Sequence, residues 1–197
     1  MQRRMSLKQY RTMDLCVFAS ILCVCEVLIV LAGTRWFPGE LYTLSLSAAV
    51  TAVVIVRWGA WAAIPAALGG LSFCLASGAT GAQFAIYCGG NLAVLLLCPW
   101  VRRVTWQRLH GNVLLAIAYG AAAALLMQTG RALVALTMGH APGAMIMFYT
   151  TDVLSTLFSA LIVWICRRLD GMLEEQTHYI LRIQKEQEEK KSGGMNA

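Results

Sequence analysis

Six long apolar runs divide this chain, at roughly 13–33, 41–56, 59–77, 82–99, 113–138 and 143–166. A helix needs about 20 apolar residues to cross the hydrocarbon core of a bilayer, because each residue advances it only ~1.5 Å. The runs therefore predict an all-α integral membrane protein with six transmembrane helices. The second and fourth runs are the shortest. The breaks between runs are sharp: Arg35-Trp36-Phe37-Pro38-Gly39-Glu40, Arg57-Trp58-Gly59, Ser77-Gly78-Ala79-Thr80-Gly81, a polar loop over 102–112, and Gly139-His140-Ala141-Pro142-Gly143. The first run is too long for a signal peptide, is interrupted by Glu26 and lacks a small-residue cleavage site, so it reads as a retained helix.

Composition agrees. Of 197 residues, 58% are hydrophobic and only 13% charged, against roughly 25% charged in an ordinary soluble domain. A soluble globular domain, a disordered chain and a nucleic-acid binder are excluded as leading readings. The seven cysteines, Cys16, Cys23, Cys25, Cys74, Cys88, Cys98 and Cys166, lie in apolar runs with no CxxC pair, which fits small packing residues.

Charge position predicts the topology. With the N-terminus inside and six helices, 14 of the 16 Lys and Arg fall on the cytoplasmic side, leaving Arg35 and Arg131. This matches the excess of basic residues that cytoplasmic loops carry. The net charge of +6 is then mostly topology rather than a partner signal. Trp58, Trp100 and Trp164 fall at the inner boundary and Trp36 at the outer one, as an aromatic belt requires. Three parts follow: a cytoplasmic N-terminal segment over 1–12, a six-helix domain over 13–168, and a cytoplasmic amphipathic helical tail over 169–197. In the tail, Leu169, Met172, Leu173, Gln176, Ile180 and Ile183 form a helical stripe, and Glu186 and Lys190 an i,i+4 pair.

Ionisable groups inside spans are expensive and point to function. There are three, Glu26, Arg131 and Asp152, and the topology puts all of them in the outer half. Gln83, Tyr87 and Asn91 recur every four residues on one helix face; Gln128 lies about one turn from Arg131, and Tyr149 three residues before Asp152. Arg35, Trp36, Glu40, Tyr42 and His140 lie in the outer loops. Together these predict a polar, aromatic-lined pocket open to the outside. Arg131, with a planar fork suited to carboxylates, would bind a small anionic or zwitterionic ligand with Asp152, Asn91, Gln83 and Gln128. Tyr87, Tyr149 and Trp36 would pack against it, and Glu26 belongs to the same layer. The plainer alternative is that Arg131 and Asp152 neutralise each other as a structural ion pair.

Small residues crowd two helices, Ala62, Ala63, Ala66, Ala67, Gly69 and Gly70 on the third and Gly120 to Ala124 on the fifth, which fits close helix packing. No HExxH, GxSxG, P-loop or GxGxxG motif occurs, and His110, His140 and His178 are too dispersed to share a metal. No enzyme activity, cofactor or metal site is expected.

The combination of six short Ala/Gly-rich helices, both ends inside and an outward polar pocket resembles the substrate-binding S component of energy-coupling factor (ECF) transporters. The stretches Phe37-Pro38-Gly39-Glu40-Leu41-Tyr42-Thr43-Leu44-Ser45, Arg57-Trp58-Gly59, Gly69-Gly70-Leu71-Ser72-Phe73-Cys74 and Tyr87-Cys88-Gly89-Gly90-Asn91-Leu92 carry the resemblance, which covers nearly all of 10–168. It implies a protein of the bacterial cell membrane that captures a water-soluble vitamin or related micronutrient outside. Such a protein docks on a transmembrane coupling protein carrying two ABC-type ATPases and releases its ligand inside. The family docks through an Ala-x-x-x-Ala pattern on its first helix; here the matching pair is Ala19 and Cys23. Metal-transporting members carry a histidine after the initiating methionine, and this chain begins Met1-Gln2-Arg3. The competing readings are a non-transporting cell-envelope scaffold and a stand-alone small-solute carrier.

Overall fold

The computed structural model describes residues 6–39, 43–104 and 106–193 and is all-helical over them. Helix α1 (Leu7–Trp36) opens on a capping box: Ser6 Oγ accepts from the Gln9 N–H while Gln9 Oε1 accepts from the Ser6 N–H. Its inward face is a stripe of Leu15, Ala19, Leu22, Glu26 and Val30, while Val17, Ile21, Val24, Leu28 and Leu31 remain exposed. This arrangement suits a helix with protein on one side and lipid on the other.

Helices α2 (Ser47–Trp58) and α3 (Ala63–Ser77) are joined by a 3₁₀ turn, Gly59–Ala62. Gly59 takes φ 60°, ψ −126°, a conformation that side chains disfavour. The side chain of Ser47 lies against Gly69, although a continuous helix would hold those residues roughly 33 Å apart. The segment Ser47–Ser77 is therefore a helical hairpin. At 12 residues, α2 is only about 18 Å long, and it is buried on nearly all sides. Tyr119 fastens it from a neighbouring helix by donating its OH to Ala52 O at 2.8 Å.

Helix α4 (Gly81–Val104) changes winding along its length, with a π turn at Ala85–Gly89 and a 3₁₀ stretch at Leu92–Leu97. After the short α5 (Trp106–Gly111) comes α6 (Val113–Thr137). Gly90 of α4 and Gly130 of α6 touch backbone to backbone, and a methyl group at either would collide with the other helix. This close approach brings α4 against Arg131, and it is how small residues replace the missing hydrophobic drive between helices in lipid. Helices α7 (Gly143–Thr151) and α8 (Val153–Cys166) bend by 52° at Asp152. Four segments are long and apolar enough to cross a membrane (α1, the α2–α3 segment, α4 and α6), and five if the bent α7–α8 pair counts as one. The chain is thus a multi-pass membrane protein.

At the Gly59 end of the hairpin, Arg57 donates to Asp14 Oδ2 through Nε at 2.9 Å, to Asp14 Oδ1 through Nη2 at 2.8 Å, and to Gly171 O through Nη1 at 2.6 Å. Trp58 Nε1 adds a bond to Asp14 at 2.6 Å. Arg57, expected only to mark the membrane boundary, is thus the buried tie between α1, the α2–α3 hairpin and the chain beyond α8. The expected tail helix from Leu169 is corrected here. Helix α8 stops at Cys166, the following segment turns through Gly171 at φ 71°, and α9 (Gln176–Gly193) begins only at Gln176. Leu173 and Glu174 are buried within the intervening turn. The glutamine stripe residue Gln176 is also buried, bonded to Gly171 O and Glu174 O and accepting from Tyr10. The Glu186 and Lys190 side chains lie outside the described residues.

Candidate functional site

Arg131 is delivered by α6 to the middle of a buried polar cluster. It is 5% exposed, donates through Nη1 to Asp152 Oδ2 at 2.6 Å and through Nε to Asn91 Oδ1 at 2.8 Å, and lies 4.9 Å from the Tyr87 ring centroid. Asn91 is oriented by its own donation to Ala66 O at 3.0 Å. Asp152 sits in the break between α7 and α8. Its second oxygen accepts from Thr43 Oγ1 at 2.7 Å and Ser155 Oγ at 2.9 Å. Both carboxylate oxygens of Asp152, and Nε and Nη1 of Arg131, thus have partners, as a charge held in an apolar medium requires. The broken backbone is satisfied as well: Thr151 O accepts the Thr43 N–H at 2.9 Å, and Asp152 O accepts Gln128 Nε2 at 3.2 Å. Irregular backbone at membrane depth survives where protein groups satisfy it in this way.

Glu26 does something the sequence reading did not foresee. From α1 it caps the start of α2: Oε1 accepts from Ser45 Oγ and the Leu46 N–H at 2.8 Å each, and from the Ser47 N–H and Oγ at 3.0 Å each. A carboxylate at a helix N-terminus meets the positive end of the dipole and otherwise orphaned N–H groups. Oε2 of Glu26 and Oε1 of Gln128 are buried without a partner among the described residues.

Between these groups is a cavity of about 10 Å³, lined by Thr43, Ser45, Ser47, Gly69, Gly70, Phe73, Tyr87, Arg131 and Asp152. That is room for about one water. A second, open cavity of about 210 Å³ lies beyond it, with Gln83, Ile86, His140, Met147 and Phe148 in its wall. Tyr87 lines both. Its ring packs 4.7 Å from Phe73 and edge-on to Phe148 at 6.4 Å, so one aromatic partition separates the open vestibule from the buried charges. Tyr87 belongs to the π turn of α4, a distortion that recurs at functional sites.

The structure therefore brings together Arg131, Asp152, Asn91 and Tyr87, with Gln128 bonded to the Asp152 backbone. The ion-pair alternative describes the arrangement of Arg131 and Asp152 directly. The remaining expected residues sit elsewhere. Gln83 is exposed in the vestibule and accepts from Thr80 as part of a capping box. Tyr149 turns its hydroxyl to Thr129 at 2.8 Å rather than toward Arg131. Trp36 ends α1 at 73% exposure, outside both cavities. Glu26 faces the start of α2. Ala19, expected on a docking face, is buried at 7% in the same stripe as Leu22, and Cys23 beside it is half-buried. Glu40 and Tyr42 lie outside the described residues.

Sequence reasoning missed the hydroxyls Thr43, Ser45, Ser47 and Ser155. A signal was present: Thr43-Leu44-Ser45-Leu46-Ser47 alternates polar and apolar with period two, which marks a non-helical strap with one polar face. Among the described residues no three His, Cys, Asp or Glu side chains converge as a metal ion would need. No family model, curated protein or solved structure matches the chain.

Proposed function

We propose that this protein is the substrate-capture subunit of an ECF-type transporter, with six membrane passes and both termini cytoplasmic. The hairpin at Gly59 and the bent α7–α8 pair supply the passes that raise the count to six. The gathering of Arg57 and Arg102 with the first turns of α1 and α9 at one end fits the cytoplasmic side. The observation that carries the reading is the buried Arg131–Asp152–Asn91 cluster beneath an open vestibule at the opposite end. Membrane proteins rarely keep such charges without a functional use.

In this reading a small polar micronutrient enters the vestibule from outside and swings the Tyr87 partition aside. A ligand carboxylate then competes with Asp152 for Arg131, and Asn91 keeps the guanidinium oriented through Nε. The water-sized inner cavity is the closed form, with the ion pair standing in for the ligand. Release would follow docking on a transmembrane coupling protein driven by two ABC-type ATPases. The buried position of Ala19 leaves the lipid-facing residues of α1 as the surface for that contact.

Mass spectrometry of small molecules retained by the purified protein, with binding measured on wild type and Arg131→Ala, tests the proposal. One retained polar micronutrient, lost in Arg131→Ala, is expected. An empty wild-type protein that also ignores a panel of water-soluble vitamins in thermal-shift assays overturns it in favour of a structural scaffold.

A further inference from the structure

The largest cavity among those described lies at the other end of the molecule, away from the Arg131 cluster. It measures about 730 Å³ and is walled by α1, the α2–α3 turn, α4 and the first turn of α9. Its lining mixes apolar side chains, including Leu7, Ile55 and Val101, with the cationic Arg11, Arg57, Arg102 and His178. Two of these cations are committed in different ways. Arg57 is neutralised by Asp14 at 2.8 Å. Arg11 is stacked 4.1 Å over the Trp61 ring, which fixes its position without neutralising it. Arg102 is exposed and has no ion pair among the described residues. The one acid in the wall, Glu175, lies 3.9 Å from His178. The cavity thus presents two unneutralised guanidinium groups beside apolar side chains, near the ends of α1, α2 and α4.

We propose that this cavity binds the phosphate headgroup of an anionic phospholipid, with the first part of its acyl chains against Leu7, Ile55 and Val101. Guanidinium groups suit phosphate oxygens, and basic pockets between helices at this level hold anionic headgroups. A free phosphate ester shares the headgroup chemistry but has no use for the apolar side chains. The turn and first residues of α9 then have a purpose: Glu175, Thr177 and His178 complete the lining of the cavity, and the Arg57–Gly171 bond at 2.6 Å ties that segment to α2. The inference does not depend on the transport reading.

Native mass spectrometry of the full chain, titrated with phosphatidylglycerol or phosphatidylcholine, tests it. One phosphatidylglycerol should be retained in preference to phosphatidylcholine. Each cation near the surface contributes enough that Arg102→Gln and Arg11→Gln should each weaken retention about fivefold. Arg103→Gln, exposed on the same helix but outside the cavity, should leave it unchanged. Arg102→Gln alters an exposed side chain and keeps the test valid if Arg11→Gln disturbs the stack on Trp61. Equal retention of both lipids, or an Arg103→Gln effect as large as that of Arg102→Gln, overturns the proposal. Displacement of phosphatidylglycerol by millimolar inorganic phosphate overturns the lipid source in favour of a soluble phosphate compound.

Discussion

The Arg131–Asp152 pair allows a double-mutant cycle whose outcome the structure dictates. Both side chains are only 7% exposed and their charged atoms are 2.6 Å apart. Arg131→Met strands a buried carboxylate, and Asp152→Asn strands a buried guanidinium. Removing one partner of such a pair costs about 3–5 kcal/mol. In the double variant neither charge remains. The asparagine amide still offers an acceptor to Thr43 and Ser155, which donate to Asp152 Oδ1 in the native protein. The main residual loss is Asn91 Oδ1, which no longer receives Arg131 Nε and costs about 1–3 kcal/mol as an unmet buried acceptor. The double variant should therefore be more stable than either single, with a coupling energy of at least ~3 kcal/mol. Reversible unfolding of the purified protein in bicelles by added denaturing detergent measures all four corners. A coupling below about 0.5 kcal/mol, the range of independent sites, would show that the pair does not organise this layer and would remove the basis for treating a ligand carboxylate as its competitor.

Other perturbations test separate links. Glu26→Ala removes the acceptor of four hydrogen bonds at the start of α2 and should cost about 1–2 kcal/mol as a lost cap, whereas Glu26→Gln retains an acceptor oxygen and should recover most of it; equal losses in the same unfolding assay would deny the capping role. Gly130→Ala places a methyl against Gly90 O and should destabilise by about 1–3 kcal/mol through overpacking. A matching fall in ligand affinity is expected, because Arg131 is the next residue. Ala19→Leu inserts bulk into the buried stripe of α1 and should lower stability by a similar overpacking cost; loss of coupling-protein association with unchanged thermal stability would instead mark Ala19 as a contact surface. Asp14→Asn weakens the tie to Arg57 and Trp58, so hydrogen exchange should speed up over 171–176 and not around Arg131.

Local composition was enough to identify the long apolar helices of a multi-pass membrane protein and several of the breaks between them. Both depend on neighbours in sequence: apolar length, and Gly and Pro punctuation. The same reading identified Glu26, Arg131 and Asp152 as the groups that need an explanation, since burying any of them is costly wherever it lands. It could not decide what satisfies each one. Asp152 is met by Thr43, 109 positions away in sequence, and Arg57 by Gly171, 114 away; Glu26 caps a helix other than its own. Gln83 and Tyr149 had suitable spacing yet found nearer partners in Thr80 and Thr129. Periodicity tells which face of a helix a residue occupies, but not which neighbour that face meets. That is decided by the hairpin at Gly59, the bend at Asp152 and the backbone contact of Gly90 with Gly130, because a buried polar atom pairs with whatever the packing brings within about 3 Å.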